Sequence, residues 1–71
     1  MTTTQHTILS LLAERGPMTV IHIAETLDPW AWLLPVTGAL TNLEGMNLVE
    51  ERYRTWHITD AGREVRRREQ P

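Results

Sequence analysis

The sequence predicts one small α+β domain, mostly helical, with three helices, a β-hairpin and a short closing helix. Three observations predict it. Apolar residues recur at three- and four-residue spacing in three successive segments, a strict alternation appears once near Trp56, and Gly, Pro, Thr and Asn stand at the junctions. With 71 residues, positions 1–71 form a single domain, because a chain of this size buries only about 60% of its unfolded surface and supports one core. That core is aliphatic with tryptophan, since Phe is absent and Tyr occurs once.

The first helix spans residues 5 to 15, with Ile8, Leu9, Leu11 and Leu12 on one stripe and Thr7, Ser10 and Glu14 opposite. Gly16 closes it with a left-handed residue, and Pro17 cannot continue it. Thr19 caps a second helix, Val20 to Leu27, whose Ile23, Ala24 and Leu27 face inward. Asp28 and Pro29 open at most one short turn, because Pro35 disfavours the helical region for Leu34. Pro35 then starts the third helix, residues 35–46, burying Val36, Ala39, Leu40 and Leu43 and leaving Thr37, Gly38, Thr41, Asn42 and Gly45 toward solvent. Asn47 occupies the left-handed position beyond that helix. Leu48 and Val49 begin a strand, ERYR makes a tight link, and Thr55 to Thr59 returns with Trp56 and Ile58 inward. Thr59 caps the last helix, Asp60 to about Arg68, with Ala61 and Val65 on the core and Gly62 at a close packing contact.

Composition narrows the function. Without cysteine there is no disulfide frame, thiolate nucleophile or cysteine zinc site, and the N-terminus has neither a basic lead nor an unbroken apolar run, so a cytoplasmic, unprocessed protein with no membrane span is expected. His6, His22 and His57 fall on three elements without ligand spacing, so no metal and no cofactor are expected. No nucleophile is paired with a base and no phosphate-cradling glycine loop occurs; the chain does not read as an enzyme, and no small-molecule ligand is inferred. All basic residues are Arg, and the charge is segregated: positions 16 to 51 carry Glu25, Asp28, Glu44, Glu50 and Glu51 and no base, while positions 52 to 71 carry six Arg. Any phosphate affinity therefore resides in the last third.

In this order of elements, PMTVIHIAETL (17 to 27), ALTNLEGMNLVE (39 to 50) and WHITDAGRE (56 to 64) resemble winged helix-turn-helix transcriptional regulators of the MarR and PadR sort. The resemblance covers nearly the whole chain. It implies a DNA-binding domain in which the third helix enters a major groove and the hairpin lies along the backbone. Thr37, Gly38, Thr41 and Asn42 match the groove-facing positions, and Arg52, Tyr53 and Arg54 match the wing tip, with Arg63 a further basic contact. Where such proteins often place Arg, Lys or Gln, this helix is uncharged. Asn replaces the usual Gly at position 47, and the turn from Leu27 to Val36 is about two residues longer than usual.

The groove reading gives Asn42 an adenine edge and the Thr methyls a thymine contact; the plain alternative is a solvated polar face. Arg52 and Arg54 are read as phosphate or minor-groove contacts, against a simple ion pair with Glu50 or Glu51. Arg66, Arg67 and Arg68 suit the negative end of the last helix. Trp30, Trp32, Leu33 and Leu34 form a candidate protein interface, against a core role for one Trp. Double-stranded DNA is the expected partner, with a homodimer or partner protein adding affinity, and the small size suits a compact or phage-encoded regulator such as a repressor. A winged-helix module that binds a protein of transcription or of the host, without touching DNA, is the second reading.

Overall fold

The computed structural model describes residues 1–27 and 33–69, positions 33–35 by their backbone alone. Helix α1 (Thr3–Arg15) starts at a capping box: Gln5 N–H donates to Thr2 Oγ1 at 3.1 Å while Thr2 N–H donates to Gln5 Oε1 at 3.1 Å. Gly16, at φ 85°, ends it with its N–H on the Leu12 carbonyl, 3.1 Å away. A short strand β1 (Met18–Thr19) leads into α2 (Val20–Leu27), where Thr19 Oγ1 accepts from His22 N–H at 3.2 Å.

Helix α3 (Leu33–Gly45) closes in a Schellman arrangement. Asn47, at φ 62°, donates to the Glu44 carbonyl at 2.9 Å, and Leu48 N–H reaches back to the Leu43 carbonyl at 2.9 Å. The chain leaves this cap directly as β2 (Val49–Arg52) and returns as β3 (Thr55–Ile58), which pairs antiparallel with β2 on one side and with β1 on the other. Trp56 faces Met18 in one ladder and Glu51 in the other. Helix α4 (Asp60–Glu69) is clamped to the start of the hairpin: Thr59 N–H donates to the Leu48 carbonyl (3.1 Å), Thr59 Oγ1 to the Asn47 carbonyl (2.8 Å), and Thr59 Oγ1 accepts from Gly62 N–H (3.0 Å).

The core is the meeting of three helices over the sheet. Ile8, Leu9 and Leu12 of α1, Ile23 of α2, Leu40 and Leu43 of α3, and Val49 of β2 are almost wholly buried, and Trp56 and Met18 seal the sheet side. Each such side chain contributes roughly 1.5–3 kcal/mol of burial free energy. This aliphatic centre holds α3 by its Val36, Ala39, Leu40 and Leu43 face, so the Thr37–Thr41 face is turned outward.

Four sequence expectations need correction. Helix α3 begins at Leu33, two residues ahead of Pro35, and ends at Gly45; a proline in the first helical turn removes an N–H that has no intrahelical acceptor, so the helix runs through it and takes Leu34 with it. The hairpin is part of a three-stranded sheet, because Met18–Thr19 adds to β3. Ala61 is exposed: the close approach of Gly62 to Leu48 turns the inward line of α4 through Gly62, Val65 and Arg66. On α1, Gln5 is buried at 8% exposure while Leu11 is only half-buried, since the capping box draws Gln5 under the helix start. The tryptophan turn, Trp30 and Trp32, lies outside the described residues, as do the side chains of Leu33 and Leu34. Among the described residues no helix is long and apolar enough to cross a membrane.

Candidate nucleic-acid interface

The face of α3 opposite the core presents Thr37, Gly38, Thr41 and Asn42, all exposed. Thr41 Oγ1 donates to the Thr37 carbonyl at 2.9 Å; with its proton spent on the helix, Thr41 keeps a lone pair and its methyl for an approaching surface. Gly38 has open space where a Cβ would stand, which lets a large rigid partner come close to the helix backbone. Glu44 lies seven positions beyond Thr37 on the same line and is exposed. The face is thus small and polar, with one carboxylate at its far end.

Beside it, Thr2, Thr4 and Gln5 at the start of α1 share a shallow groove of about 340 Å³ with Gly38, Ala39 and Asn42 of α3. Thr2 and Thr4 were not singled out by sequence reasoning, although a run of three threonines at the start of a helix is a recognisable supply of hydroxyls. Their proximity to Asn42 depends on how α1 crosses α3, which no local pattern encodes.

The wing tip is a two-residue turn. Tyr53 (φ 53°) and Arg54 (φ 63°) both occupy the left-handed region, the geometry of a type I′ turn, whose twist matches that of the flanking strands and which normally selects Asn-Gly. A tyrosine and an arginine there cost about 1 kcal/mol or more each. Tyr53 is 99% exposed. Arg52 and Glu50, two apart on β2 and therefore on one face of it, form an ion pair of 2.8 Å with both side chains half or more exposed, an association worth well under about 1 kcal/mol in water. Arg54 has no ion pair among the described residues and is exposed.

The remaining arginines are on α4. Arg66 Nη2 reaches Glu14 Oε1 of α1 at 2.9 Å, and Arg67 and Arg68 both engage Glu64. Arg67, by hydrogen bond and charge, and then Arg68 hold the Glu64 carboxyl below the usual carboxylate range. Arg63 is exposed and lines a cleft between α1 and α4 rather than the α3 face. So α3 groups Thr37, Gly38, Thr41 and Asn42, and the wing tip groups Arg52, Tyr53 and Arg54, while Arg63 belongs to a third region. Among the described residues no cluster of His, Asp and Glu has the makings of a metal site. His6 is half-buried, with Nε2 enclosed, unpartnered and 4.0 Å from Glu69 Oε2.

Helix α2 and an outward-facing helix α3, followed by a β-hairpin bound to a strand between α1 and α2, define a winged-helix fold. No family model matches the sequence, and no curated protein matches it. Among solved structures the fold is similar to that of wild-type ZitR from Lactococcus lactis, at a TM-score of 0.84 and 34% sequence identity, over 94% of this chain and 48% of the other. The chain thus spans about half the length of ZitR, and its topology fits a winged-helix fold.

Proposed function

We propose that this chain is a sequence-specific, MarR-like regulator of transcription that binds double-stranded DNA, with α3 in the major groove and the wing on the adjoining backbone. The observation that carries the reading is the juxtaposition, on a fold shared with a regulator, of a small polar exposed helix face without a cation and an arginine-bearing exposed wing. Phosphate contacts from Arg52 and Arg54 position the domain; Asn42 reads an adenine edge, and the Thr37 and Thr41 methyls meet thymine methyls. Repression by occlusion of a promoter is the mode of control this reading takes.

A single module of this kind makes a small interface, and with two wing arginines the electrostatic share of the affinity is modest. Two copies on adjacent half-sites therefore supply the working affinity. The test is a gel shift with mixed-sequence and then selected duplexes across a salt series. Changing Arg52 and Arg54 together to Ala flattens the slope of log K against log salt by about 2, near 0.9 for each phosphate contact. Thr41→Ala and Asn42→Ala leave that slope alone and erase sequence preference. Unaltered protein that binds no duplex even at low salt overturns the proposal.

The second reading, a winged-helix module that binds protein, is favoured by one observation: α3 carries no cation, and Glu44 is exposed on its outer side. In that case the Thr37–Asn42 face contacts a protein of transcription, and substitutions there abolish its capture while DNA is ignored.

A further inference from the structure

We infer that the cleft between α1 and α4 is a phosphoryl-binding site separate from the α3 face. Arg63, Arg66 and Arg67 stand at i, i+3 and i+4 on one side of α4 and, with Ala13 of α1 as the small floor residue, line a cleft of about 380 Å³. Two of the three guanidiniums are already aimed. Glu14 holds Arg66 through Nη2 at 2.9 Å, and Glu64 holds Arg67. A guanidinium fixed by one carboxylate keeps its other N–H groups for a second acceptor, and its planar fork suits the oxygens of a phosphoryl group.

The independent sign of a missing acceptor is Arg66 Nε. This atom is enclosed by protein, on a side chain only 21% exposed, and no described residue accepts from it. A buried charged donor left unpaired is unfavourable, and a small rotation of the Arg66 guanidinium, whose side chain lines the cleft, brings Nε to an oxygen seated there. Arg63, one turn earlier, is exposed and has no ion pair among the described residues, so it is free to close over the same anion. Against the three arginines stand the carboxylates of Glu14 and Glu64, which leaves the cleft net positive. Helix α1 packs on both α3 and α4, and the cleft is lined by residues of α1 and α4 with none from α3, so an anion here does not occupy the face assigned to the major groove.

The probe is inorganic phosphate, added at constant ionic strength to uniformly ¹⁵N-labelled protein, with chloride as the control. Phosphate shifts the Arg66 Nε–H resonance and the backbone amides of residues 63 to 67 along a saturating curve, and chloride does not. Arg63→Ala, at an exposed position that leaves the fold intact, weakens the fitted affinity roughly tenfold, the change expected for one charge-assisted hydrogen bond. Arg66→Lys, which keeps a cation for Glu14 but has no Nε, abolishes saturation at the backbone amides. A short duplex tells the sources apart: shifts of these same resonances assign the phosphoryl group to a nucleic-acid backbone, and shifts confined to α3 and the wing assign it to a free ligand. Phosphate effects no larger than those of chloride, or spread equally over Arg15, Arg52 and Arg54, overturn the inference and leave the duplex experiment on α3 untouched.

Discussion

Gly62→Ala isolates the contact on which the placement of α4 depends. A Cβ at this position stands 2.1 Å from the Leu48 carbonyl oxygen and 2.8 Å from Ile58 Cγ1, and the nearer obstacle is backbone. To reach an acceptable separation, α4 or the start of the hairpin has to retreat by roughly 1 Å, a change typical of overpacked cores that cost about 1–3 kcal/mol. The same carbonyl accepts from Thr59 N–H at 3.1 Å, and stretching that bond adds to the loss. Opposing both is the better helix propensity of Ala, about 1 kcal/mol at most. The net expectation is a destabilisation of about 2 kcal/mol, or a Tm lower by roughly 8–16 °C for a domain of this size. Circular dichroism melts measure it, with Gly38→Ala as the matched control. Gly38 has no heavy atom within 4 Å of an added Cβ, so the same chemical change raises Tm by a few degrees. If Gly62→Ala melts at or above the parent, the close-approach argument is wrong.

Replacing Tyr53-Arg54 by Asn-Gly relieves two left-handed side-chain-bearing residues and raises stability by about 1–2 kcal/mol in urea unfolding, while gel shifts record weaker DNA binding; a fall in both stability and affinity would contradict the turn assignment. Thr59→Ala removes the α4 cap and the bond to the Asn47 carbonyl and costs about 1–2 kcal/mol by the same unfolding assay. Glu64 has a depressed pKa in the folded protein, so its contribution is present above its unfolded pKa and disappears as pH falls through the folded one. Melts between neutral and acidic pH therefore show a slightly shallower acid decline for Glu64→Gln than for the parent.

What could be read from the sequence was local. Gly16, Thr19, Asn47 and Thr59 act through their own neighbours, so each was legible as the end or start of a helix, and the Val20–Leu27 helix was found with its bounds intact. The packing role of Gly62 was legible too, since a glycine early in a helix asks for a reason. What escaped was set by distant partners. Strand β1 is two residues whose only mark is pairing with Trp56 and Thr55, and the Glu14–Arg66 bridge joins residues 52 apart. The wing turn was found as a short link but not as type I′, because Tyr-Arg carries none of the usual signal for it. Exposure of Thr37, Gly38, Thr41 and Asn42 followed from helical spacing, whereas the groove they share with Thr2 and Thr4 followed from the crossing of two helices.

Leu48 joins the end of α3, the root of the hairpin and the first turn of α4 at one point: its N–H donates to the Leu43 carbonyl, and its own carbonyl accepts from Thr59 N–H and abuts Gly62. With the Schellman closure and the Thr59 clamp sharing this residue, the outward helix and the wing tip stand as the two jaws of a caliper. On the proposed function, a duplex whose groove width does not suit that gauge would itself have to deform to be held, and the fold would contribute to target choice through the stiffness of the DNA as well as through its bases.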